Sequence, residues 1–339
     1  MHSETAQTPT LPSNGPALPR IVVLDGGTLN PGDNPWTDLM SHGDVQIYER
    51  SSPAEAVLRS QGAVIVVVNK IRLGPEFFRQ SPSVRFVAVS ATGWDCVDAA
   101  SAREAGVVVS NVPVYGTDSV AQFTLALILE LSSHVGLHHQ AVQSGHWSRS
   151  PDFSFWNCQL TELAGTTLGL VGFGRIGQRV AELAHAFGMN VVACSESRRN
   201  TPSWHPFQWA ALPDLLQQSD VVSLHCPLTD STRGLINRDR LSLMRSSAIL
   251  INTARGGLVI EQDLADSLNA GRLAAAGLDV VSREPIEPDN PLLTARNCLI
   301  TPHIAWATLA ARRRLLAATV SNVAGFLNGT PQNVVCRAE

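Results

Sequence analysis

The chain has 339 residues, of which 44% are hydrophobic and 16% are charged, and its formal net charge is −4 at pH 7. This length suits two domains that each bury a core, and the apolar fraction is too high for an intrinsically disordered chain. A nucleic-acid or anionic-membrane partner needs a dense positive surface, which this composition does not supply. We therefore expect a small-molecule partner, and neither nucleic acid nor membrane.

The six cysteines are scattered along the sequence without a CxxC pair, which is typical of proteins from a reducing compartment. The N-terminus has no basic region followed by an apolar core, and no apolar stretch reaches the roughly 20 residues that span a bilayer. The sequence therefore predicts a cytoplasmic protein. Residues 1–19 are rich in Pro, Ser and Thr and predict a flexible tail.

From Ile21, short β-branched runs alternate with helix-like segments; the runs are IVVLD, VQIYE, AVIVVV, VRFVAVS and VVVSN. Runs that are apolar throughout suit strands buried on both faces, so they predict a parallel sheet flanked by helices. A first α/β domain is expected over residues 20–112. A long helical pattern follows from Thr117 to about Gly145. It is apolar on nearly every side and must be covered, for which a second subunit is one candidate.

A second alternation follows, with the runs TTLGLVG, NVVACS, DVVSLHCP, AILINTA, LAAAGLDVV and NCLITPH. Six strands joined by crossover helices predict a doubly wound dinucleotide-binding domain, expected over residues 113–305. The last helical segment should cross back to the first domain. Residues 306–339 are therefore expected to join residues 20–112, which makes that domain discontinuous.

Gly172, Gly174 and Gly177 form a GxGxxG motif, in which Arg175 and Ile176 separate the last two glycines. The motif directly follows an apolar strand and opens a helical pattern. In this context the first glycine permits a tight turn, the second lets the backbone approach a pyrophosphate, and the third lets helix and strand pack closely. We predict a dinucleotide site here; the alternative is a glycine-rich turn without a ligand.

The end of the next strand predicts which dinucleotide binds. An acid there would accept hydrogen bonds from the ribose hydroxyls of NAD, but this strand ends at Ser195 and is followed by Arg198 and Arg199. Two guanidinium groups suit a 2′-phosphate. Glu196 is the counterargument, because a shifted carboxylate could still bind the ribose. We expect NADP preference or use of both cofactors, NADP and NAD.

Three polar residues follow apolar runs of the second domain: Arg255 after AILINTA, Glu284 after LAAAGLDVV and His303 after NCLITP. Each alone has a structural explanation, as a helix cap, a solvated acid or a core histidine. Together they match the needs of 2-oxo acid reduction. A guanidinium grips the carboxylate, an imidazolium delivers a proton, and a carboxylate orients the imidazole.

The strings GLVGFGRIGQ, SLHCPLTDSTRGLIN, INTARGGLV, AGLDVVSREP and TPHIAW together resemble the D-isomer-specific 2-hydroxyacid dehydrogenases. The resemblance implies two Rossmann-like domains with doubly wound parallel sheets, and a homodimer formed through the long helix after the first hinge. It implies that Arg255 binds substrate, Glu284 orients His303, and His303 is the acid and base. It also implies further cofactor contacts, at Cys226, Pro227, Leu228, Thr232, Thr253, Ala254 and Asp279, the last holding the carboxamide.

Within that family, SATGWDCVD, NVPVYGTDSVAQ and SPDFSFW look most like the glycerate dehydrogenase or hydroxypyruvate reductase branch. That resemblance implies reduction of hydroxypyruvate or glyoxylate, with the backbone amides of Ala91, Thr92 and Gly93 binding the substrate carboxylate. Lys70 is expected in the same cleft, with a solvated surface lysine as the alternative. Trp94 replaces the tyrosine or other residue expected beside this turn.

Other functions remain open at this point. A formate or phosphite dehydrogenase would share the scaffold, although formate enzymes resemble the family with Gln in place of Glu284. A dinucleotide-sensing corepressor would bind cofactor without turnover. A metal site is not expected, because His134 and His138 share a helix face without an HExxH pattern or a nearby carboxylate.

Overall fold

The computed structural model describes residues 18–337, which form two compact units. One unit ends at Tyr115 and resumes at Leu309, and the other spans Gly116–Thr308. Each unit contains a predominantly parallel sheet with helices, so the predicted α/β class with two Rossmann-like sheets is confirmed. The predicted flexible tail, residues 1–19, lies outside the described residues except for its last two.

Numbered along the whole chain, the strands of the first unit are β1 (Arg20–Val23), β2 (Asp44–Ile47), β3 (Ile65–Val68), β4 (Phe86–Val89), β5 (Val108–Ser110) and β13 (Val334–Cys336). They form a six-stranded sheet in the order β13-β5-β4-β3-β1-β2. The helices of this unit are α1 (Thr37–Met40), α2 (Pro53–Arg59), α3 (Pro75–Gln80), α4 (Ala99–Glu104) and α11 (Leu309–Leu327). Every residue of the central strands β3 and β4 is buried, which explains their uninterrupted apolar runs.

The strands of the second unit are β6 (Thr167–Val171), β7 (Asn190–Cys194), β8 (Phe207–Trp209), β9 (Val221–Leu224), β10 (Ile249–Asn252), β11 (Ala275–Leu278) and β12 (Cys298–Ile300). They form a seven-stranded sheet in the order β12-β11-β10-β9-β6-β7-β8. The helices of this unit are α5 (Thr117–Ser133), α6 (Val135–Gln143), α7 (Arg175–Ala186), α8 (Leu212–Gln218), α9 (Arg238–Leu241) and α10 (Glu261–Asn269). Short 3-10 turns lie at Gly26–Thr28 in the first unit and at Trp147–Arg149, Gly256–Leu258 and Pro291–Thr294 in the second.

The strand order of the second sheet reverses direction at β6. Strands β7 and β8 lie on one side of β6, and β9 to β12 lie on the other. Ligands of open parallel sheets bind beyond the carboxyl ends of the strands at such a switch point. The loop after β6, which begins at Gly172, is therefore in the position where this fold binds a ligand.

Two edge strands have no counterpart among the predicted runs. β13 pairs antiparallel with β5, and β8 pairs parallel with β7. Each has three residues, and neither is buried along its full length. Such short, half-buried runs do not produce the continuous apolar signal by which the interior strands were predicted.

The apolar helix expected from Thr117 is α5, and the sheet of its own unit covers it. It packs against β10, β11 and α7, and Ala121, Thr124 and Ile128 are completely buried. Within residues 18–337, no single helix has the length and apolar character to cross a bilayer. Taken as a pair, α5 and α6 meet that test by length and composition, although the chain bends by 56° between them.

Candidate active site

The glycine loop after β6 uses each of its three glycines differently. Gly172 has a φ of +98°, and a Cβ on it would lie 2.6 Å from the backbone of His225 and Cys226. A Cβ on Gly177 would collide with the carbonyl oxygen of Gly172. Gly174 precedes α7 and has nothing within 4 Å of the corresponding position. Gly172 and Gly177 therefore let the helix and strands pack closely, and Gly174 leaves open space at the helix N-terminus.

His225 lies directly under this loop. Its backbone N–H donates to Val171 O at 2.7 Å, and its Nε2 is 2.9 Å from Ser223 Oγ. Burial lowers the pKa of His225 to about 4, because a desolvated imidazole resists taking up charge. His225, whose backbone packs against Gly172, is therefore neutral at pH 7.

The predicted cofactor-selecting residues follow β7, the neighbour of β6. The Gly172 N–H donates to Cys194 O at 2.8 Å, so the strand end that precedes Ser195 is hydrogen-bonded to the glycine loop. Ser195 is half-buried, whereas Arg198 and Arg199 are exposed. The structure thus brings Ser195 next to the start of the loop and presents the two arginines to solvent.

The three predicted catalytic residues follow three adjacent parallel strands. Arg255 follows β10, Glu284 follows β11 and His303 follows β12. β11 pairs with β10 on one side and with β12 on the other. Because carboxyl ends of parallel strands meet at one edge of a sheet, the three residues are carried on neighbouring loops.

His303 and Glu284 form a hydrogen-bonded pair. His303 Nδ1 lies 2.6 Å from Glu284 Oε2, and Val281 N–H donates to Glu284 Oε1 at 3.3 Å. A carboxylate only accepts, so Nδ1 carries the proton and Nε2 is the nitrogen available for proton exchange with a substrate. His303 adopts a φ of +55°, a conformation that a non-glycine residue holds only when its surroundings fix it.

Asp279 supplies part of that fixation. It is only 1% exposed, and its carboxylate accepts hydrogen bonds from Thr301 Oγ1 at 2.7 Å, Ile304 N–H at 2.9 Å and Ala305 N–H at 2.8 Å. Burial raises the pKa of Asp279 despite these hydrogen bonds. The residue expected to contact a carboxamide therefore also holds both sides of the His303 turn.

Arg255 is carried on a turn held by Asn252, the last residue of β10. Asn252 Oδ1 accepts from Ala254 N–H at 3.0 Å, and its Nδ2 donates to Arg255 O at 2.9 Å. Arg255 Nη1 donates to Ala254 O at 2.8 Å. The adjacent Gly256 packs so tightly that a Cβ would collide with the Val281 carbonyl group. The Arg255 turn and the Glu284 loop are therefore in direct backbone contact.

The remaining predicted cofactor residues of this unit line the ends of β9 and β10. Thr253 Oγ1 is 3.0 Å from Thr124 Oγ1 of α5. Thr232 Oγ1 donates to Pro227 O at 2.7 Å. Cys226 precedes that turn, and burial raises the pKa of its thiol. Pro227, Thr232 and Thr253 thus have structural contacts of their own in addition to any contact with a cofactor.

The predicted substrate residues Lys70 and Ala91 to Trp94 belong to the first unit, whereas the catalytic residues belong to the second. Lys70 follows β3 and is exposed, and its backbone N–H donates to Asp25 Oδ2 at 2.6 Å. Ala91 and Thr92 follow β4. Thr92 Oγ1 donates to Val112 O at 2.9 Å, while Gly93 and Trp94 are half-buried.

Several residues that support the site were missed at the sequence level, among them His225, Asn252 and Glu261, whose carboxylate accepts from Ser282 N–H on the Glu284 loop. Asn252 is the last residue of a predicted strand, and the strand pattern alone gives no reason to assign it a loop contact. Glu261 begins α10, where an acid is ordinarily explained by the helix dipole. Asn252 stands at the end of an apolar run, where an asparagine often accepts from the backbone N–H two residues later, so it could have indicated an Asx turn. The sequence contains no comparable signal for Glu261.

Comparisons with known proteins identify the chain as a nicotinamide-dependent oxidoreductase and give its family. Residues 125–305 match the family model described as D-isomer specific 2-hydroxyacid dehydrogenase, NAD binding domain. The chain belongs to the D-isomer specific 2-hydroxyacid dehydrogenase family. The family resemblance drawn from the sequence motifs is therefore confirmed.

Individual relatives point to the same branch. A hydroxypyruvate reductase of Blautia hydrogenotrophica is 47% identical over 319 residues, covering 93% of this chain and 99% of the relative. A glycerate dehydrogenase of Methylorubrum extorquens is 39% identical over 322 residues, covering 93% and 98%. The solved NADPH-dependent glyoxylate/hydroxypyruvate reductase of Sinorhizobium meliloti, in complex with NADP and malonate, superposes with a TM-score of 0.80 at 29% identity, covering 95% and 99%.

Proposed function

We propose that this enzyme reduces hydroxypyruvate to D-glycerate, and glyoxylate to glycolate, with His303 as the proton donor. The observation that carries the proposal is the hydrogen bond between His303 Nδ1 and Glu284 Oε2, on loops neighbouring the one that bears Arg255. The names of the relatives, hydroxypyruvate reductase and glycerate dehydrogenase, support this substrate class.

The residues of the triad have different tasks in this reaction. A bound nicotinamide dinucleotide supplies the hydride that reduces the substrate's C2 carbonyl. Arg255 binds the substrate carboxylate and polarises the carbonyl through its planar set of donors. His303 Nε2 gives its proton to the carbonyl oxygen as C2 is reduced, and Glu284 stabilises the protonated ring and keeps its orientation.

The glycine loop fits the cofactor. Open space at Gly174 and the N-terminus of the twelve-residue helix α7 suit a pyrophosphate, which hydrogen-bonds to backbone N–H groups and favours the positive end of the helix dipole. We propose that residues 113–305 form the dinucleotide-binding domain, and that residues 20–112 with 306–339 form the substrate domain. In this proposal Arg175 and Ile176 contact the pyrophosphate, and the Ala91–Gly93 amides bind the substrate carboxylate.

For the cofactor, we propose NADP preference or use of both NADP and NAD. Ser195 puts no negative charge at the end of β7, and the exposed Arg198 and Arg199 can pair with a 2′-phosphate. Replacing Ser195 by Asp should move the ratio of kcat/KM values toward NADH, by about tenfold for one repulsive charge. Glu196→Gln tests the alternative, in which the neighbouring carboxylate binds the ribose, and we expect it to leave the ratio unchanged. A move toward NADPH in Ser195→Asp would contradict the assignment.

The test of the substrate is a panel of hydroxypyruvate, glyoxylate, formate and phosphite, each assayed with both nicotinamide cofactors in the appropriate redox state. We expect steady-state reduction of the two 2-oxo acids, with higher kcat/KM than for oxidation of formate or phosphite. No turnover of any 2-oxo acid would refute the proposal. Cofactor binding without turnover of any of the four would instead favour the corepressor.

We further propose a homodimer in the cytoplasm. The segment after α5 exposes apolar side chains, among them Val135, Trp147, Phe153 (91% exposed) and Trp156 (71% exposed), and exposed clusters of this kind mark interfaces. Sedimentation should give twice the monomer mass. Phe153→Ser with Trp156→Ser should give monomers, and an unchanged dimer in that variant would move the interface elsewhere. The cytoplasmic location rests on the six free thiols.

A further inference from the structure

Glu261, the first residue of α10, lies at the junction of the loops that carry the catalytic residues. Its Oε1 accepts from Ser282 N–H at 2.6 Å. Its Oε2 accepts from Ser282 Oγ at 2.8 Å and from Asn290 Nδ2 at 3.0 Å. A carboxylate 21 residues away in sequence therefore holds the loop that leads from β11 to Glu284.

The dipeptide segment Val281–Ser282, whose Ser282 end is bound by Glu261, is also in contact with two catalytic segments. Val281 N–H donates to Glu284 Oε1, on the carboxylate whose other oxygen bonds His303. On the Arg255 side, Gly256 packs so closely that an added Cβ would overlap the Val281 carbonyl group and the Ser282 nitrogen. A shift of this two-residue segment would consequently change the position of Glu284 relative to both Arg255 and His303.

We propose that Glu261 is a positioning residue for the catalytic site, acting through the Val281–Ser282 segment to orient Glu284 toward His303. The role rests on the proposed function of the triad. Val281 is buried, whereas Ser282 and Glu284 are exposed. Packing therefore holds the start of the loop, and charge-assisted hydrogen bonds to the half-buried Glu261 hold its exposed part.

The decisive variant is Glu261→Ala, compared with Glu261→Gln and with Asp266→Asn as a matched control. Asp266 is an acid of the same helix that bonds Gln262 and Arg238 instead of the catalytic loop. In Glu261→Ala we expect kcat for hydroxypyruvate reduction to fall by about tenfold to a hundredfold, the size of effect that a misplaced reacting group produces. We expect cofactor affinity and Asp266→Asn activity to stay at wild-type values.

The division of the loss between kcat and KM separates positioning from a general loss of stability. With Glu284 displaced, His303 is no longer held for proton transfer, whereas Arg255 still binds the substrate carboxylate. The loss in Glu261→Ala should therefore fall on kcat, and KM for hydroxypyruvate should change by less than about twofold. Glu261→Gln keeps one oxygen to accept the Ser282 N–H and should restore most of the activity; a loss equal to that of alanine would overturn the acceptor role.

Two outcomes overturn the proposal while leaving the proposed function intact. One is a folded Glu261→Ala enzyme with the wild-type kcat for hydroxypyruvate. The other is a Ser282 amide in the wild-type protein that exchanges with solvent hydrogen as fast as an unbonded loop amide, and this measurement stands even if Glu261→Ala does not fold. Because amide exchange needs no substrate, it still tests Glu261 if hydroxypyruvate is not turned over.

Discussion

The glycine loop and the catalytic loops are both at the carboxyl edge of the same sheet, but different forces shape them. The conformation of the glycine loop depends on the absence of side chains, because a Cβ at Gly172 or Gly177 would collide with backbone atoms. The catalytic loops are defined by side chains, because Asn252, Asp279 and Glu261 each accept or donate the hydrogen bonds that hold one turn.

This difference predicts two kinds of failure. A larger residue in the glycine loop should impair cofactor binding and stability together, since the backbone itself must move. Loss of a polar residue from the catalytic loops should impair turnover while leaving the cofactor site nearly intact, since the β6–α7 turn does not depend on those hydrogen bonds.

The largest effect is expected for His303→Ala, which removes the proton donor. The turnover number should fall by about 10² to 10⁴, the usual contribution of a positioned acid or base, while the Kd for NADPH measured by fluorescence titration changes by less than about twofold. His42→Ala, a histidine of the first unit, is the control. Unchanged turnover would remove His303 from the reaction.

Gly172→Ala tests the glycine loop. Gly172 has a φ of +98°, and the added Cβ would lie 2.6 Å from the backbone of the loop after β9. The substitution should therefore lower the free energy of unfolding by about 2–3 kcal/mol and weaken NADPH binding more than about tenfold. Gly271 has a φ of +66°, and a Cβ added to it would have nothing within 4 Å. Gly271→Ala therefore tests backbone strain without crowding. Equal losses in both variants, measured by urea unfolding, would contradict the crowding argument.

The same difference explains how much could be predicted from the sequence. A loop that needs glycine at fixed spacings can be predicted from the residues alone, because the missing side chains appear in the sequence as Gly172, Gly174 and Gly177. The interior strands also gave a direct signal, since β3, β4 and β9 are apolar at nearly every position. The catalytic residues could be proposed because Arg255, Glu284 and His303 each follow such a run.

The supporting contacts could not be predicted in this way. The bond between Glu261 and Ser282 joins residues 21 positions apart, and only the folded chain brings them together. The left-handed φ of His303 is likewise a property of the turn held by Asp279, since histidine has no intrinsic need for it. The edge strands β8 and β13 were missed because their pairing depends on the neighbouring strand more than on their own composition.

A smaller effect is expected for Asn252→Ala, which releases the turn that carries Arg255. Loss of two hydrogen bonds at a completely buried amide should cost about 1–3 kcal/mol of stability, and kcat/KM for hydroxypyruvate should fall by about tenfold through KM and kcat together. Asn269→Ala, which loses a bond to Arg296 N–H outside the catalytic loops, is the control. A variant with full kcat/KM would show that the Arg255 turn is held without Asn252.

The smallest effect at neutral pH is expected from His225, which supports the glycine loop without a charge. Its pKa is lowered by burial from 6.5 to about 4, so between these values the unfolded chain binds a proton that the folded chain does not. The stability that this neutral histidine contributes is complete above pH 6.5 and is lost as the pH falls toward 4, by at most about 1.4 kcal/mol per pH unit. His225→Gln cannot titrate, so the free energies of unfolding of the two proteins, measured by urea at several pH values, should diverge in that window. Parallel curves would mean that His225 takes up a proton as readily in the folded protein as in the unfolded chain, and the glycine loop would then lack the neutral support that distinguishes it from the catalytic loops.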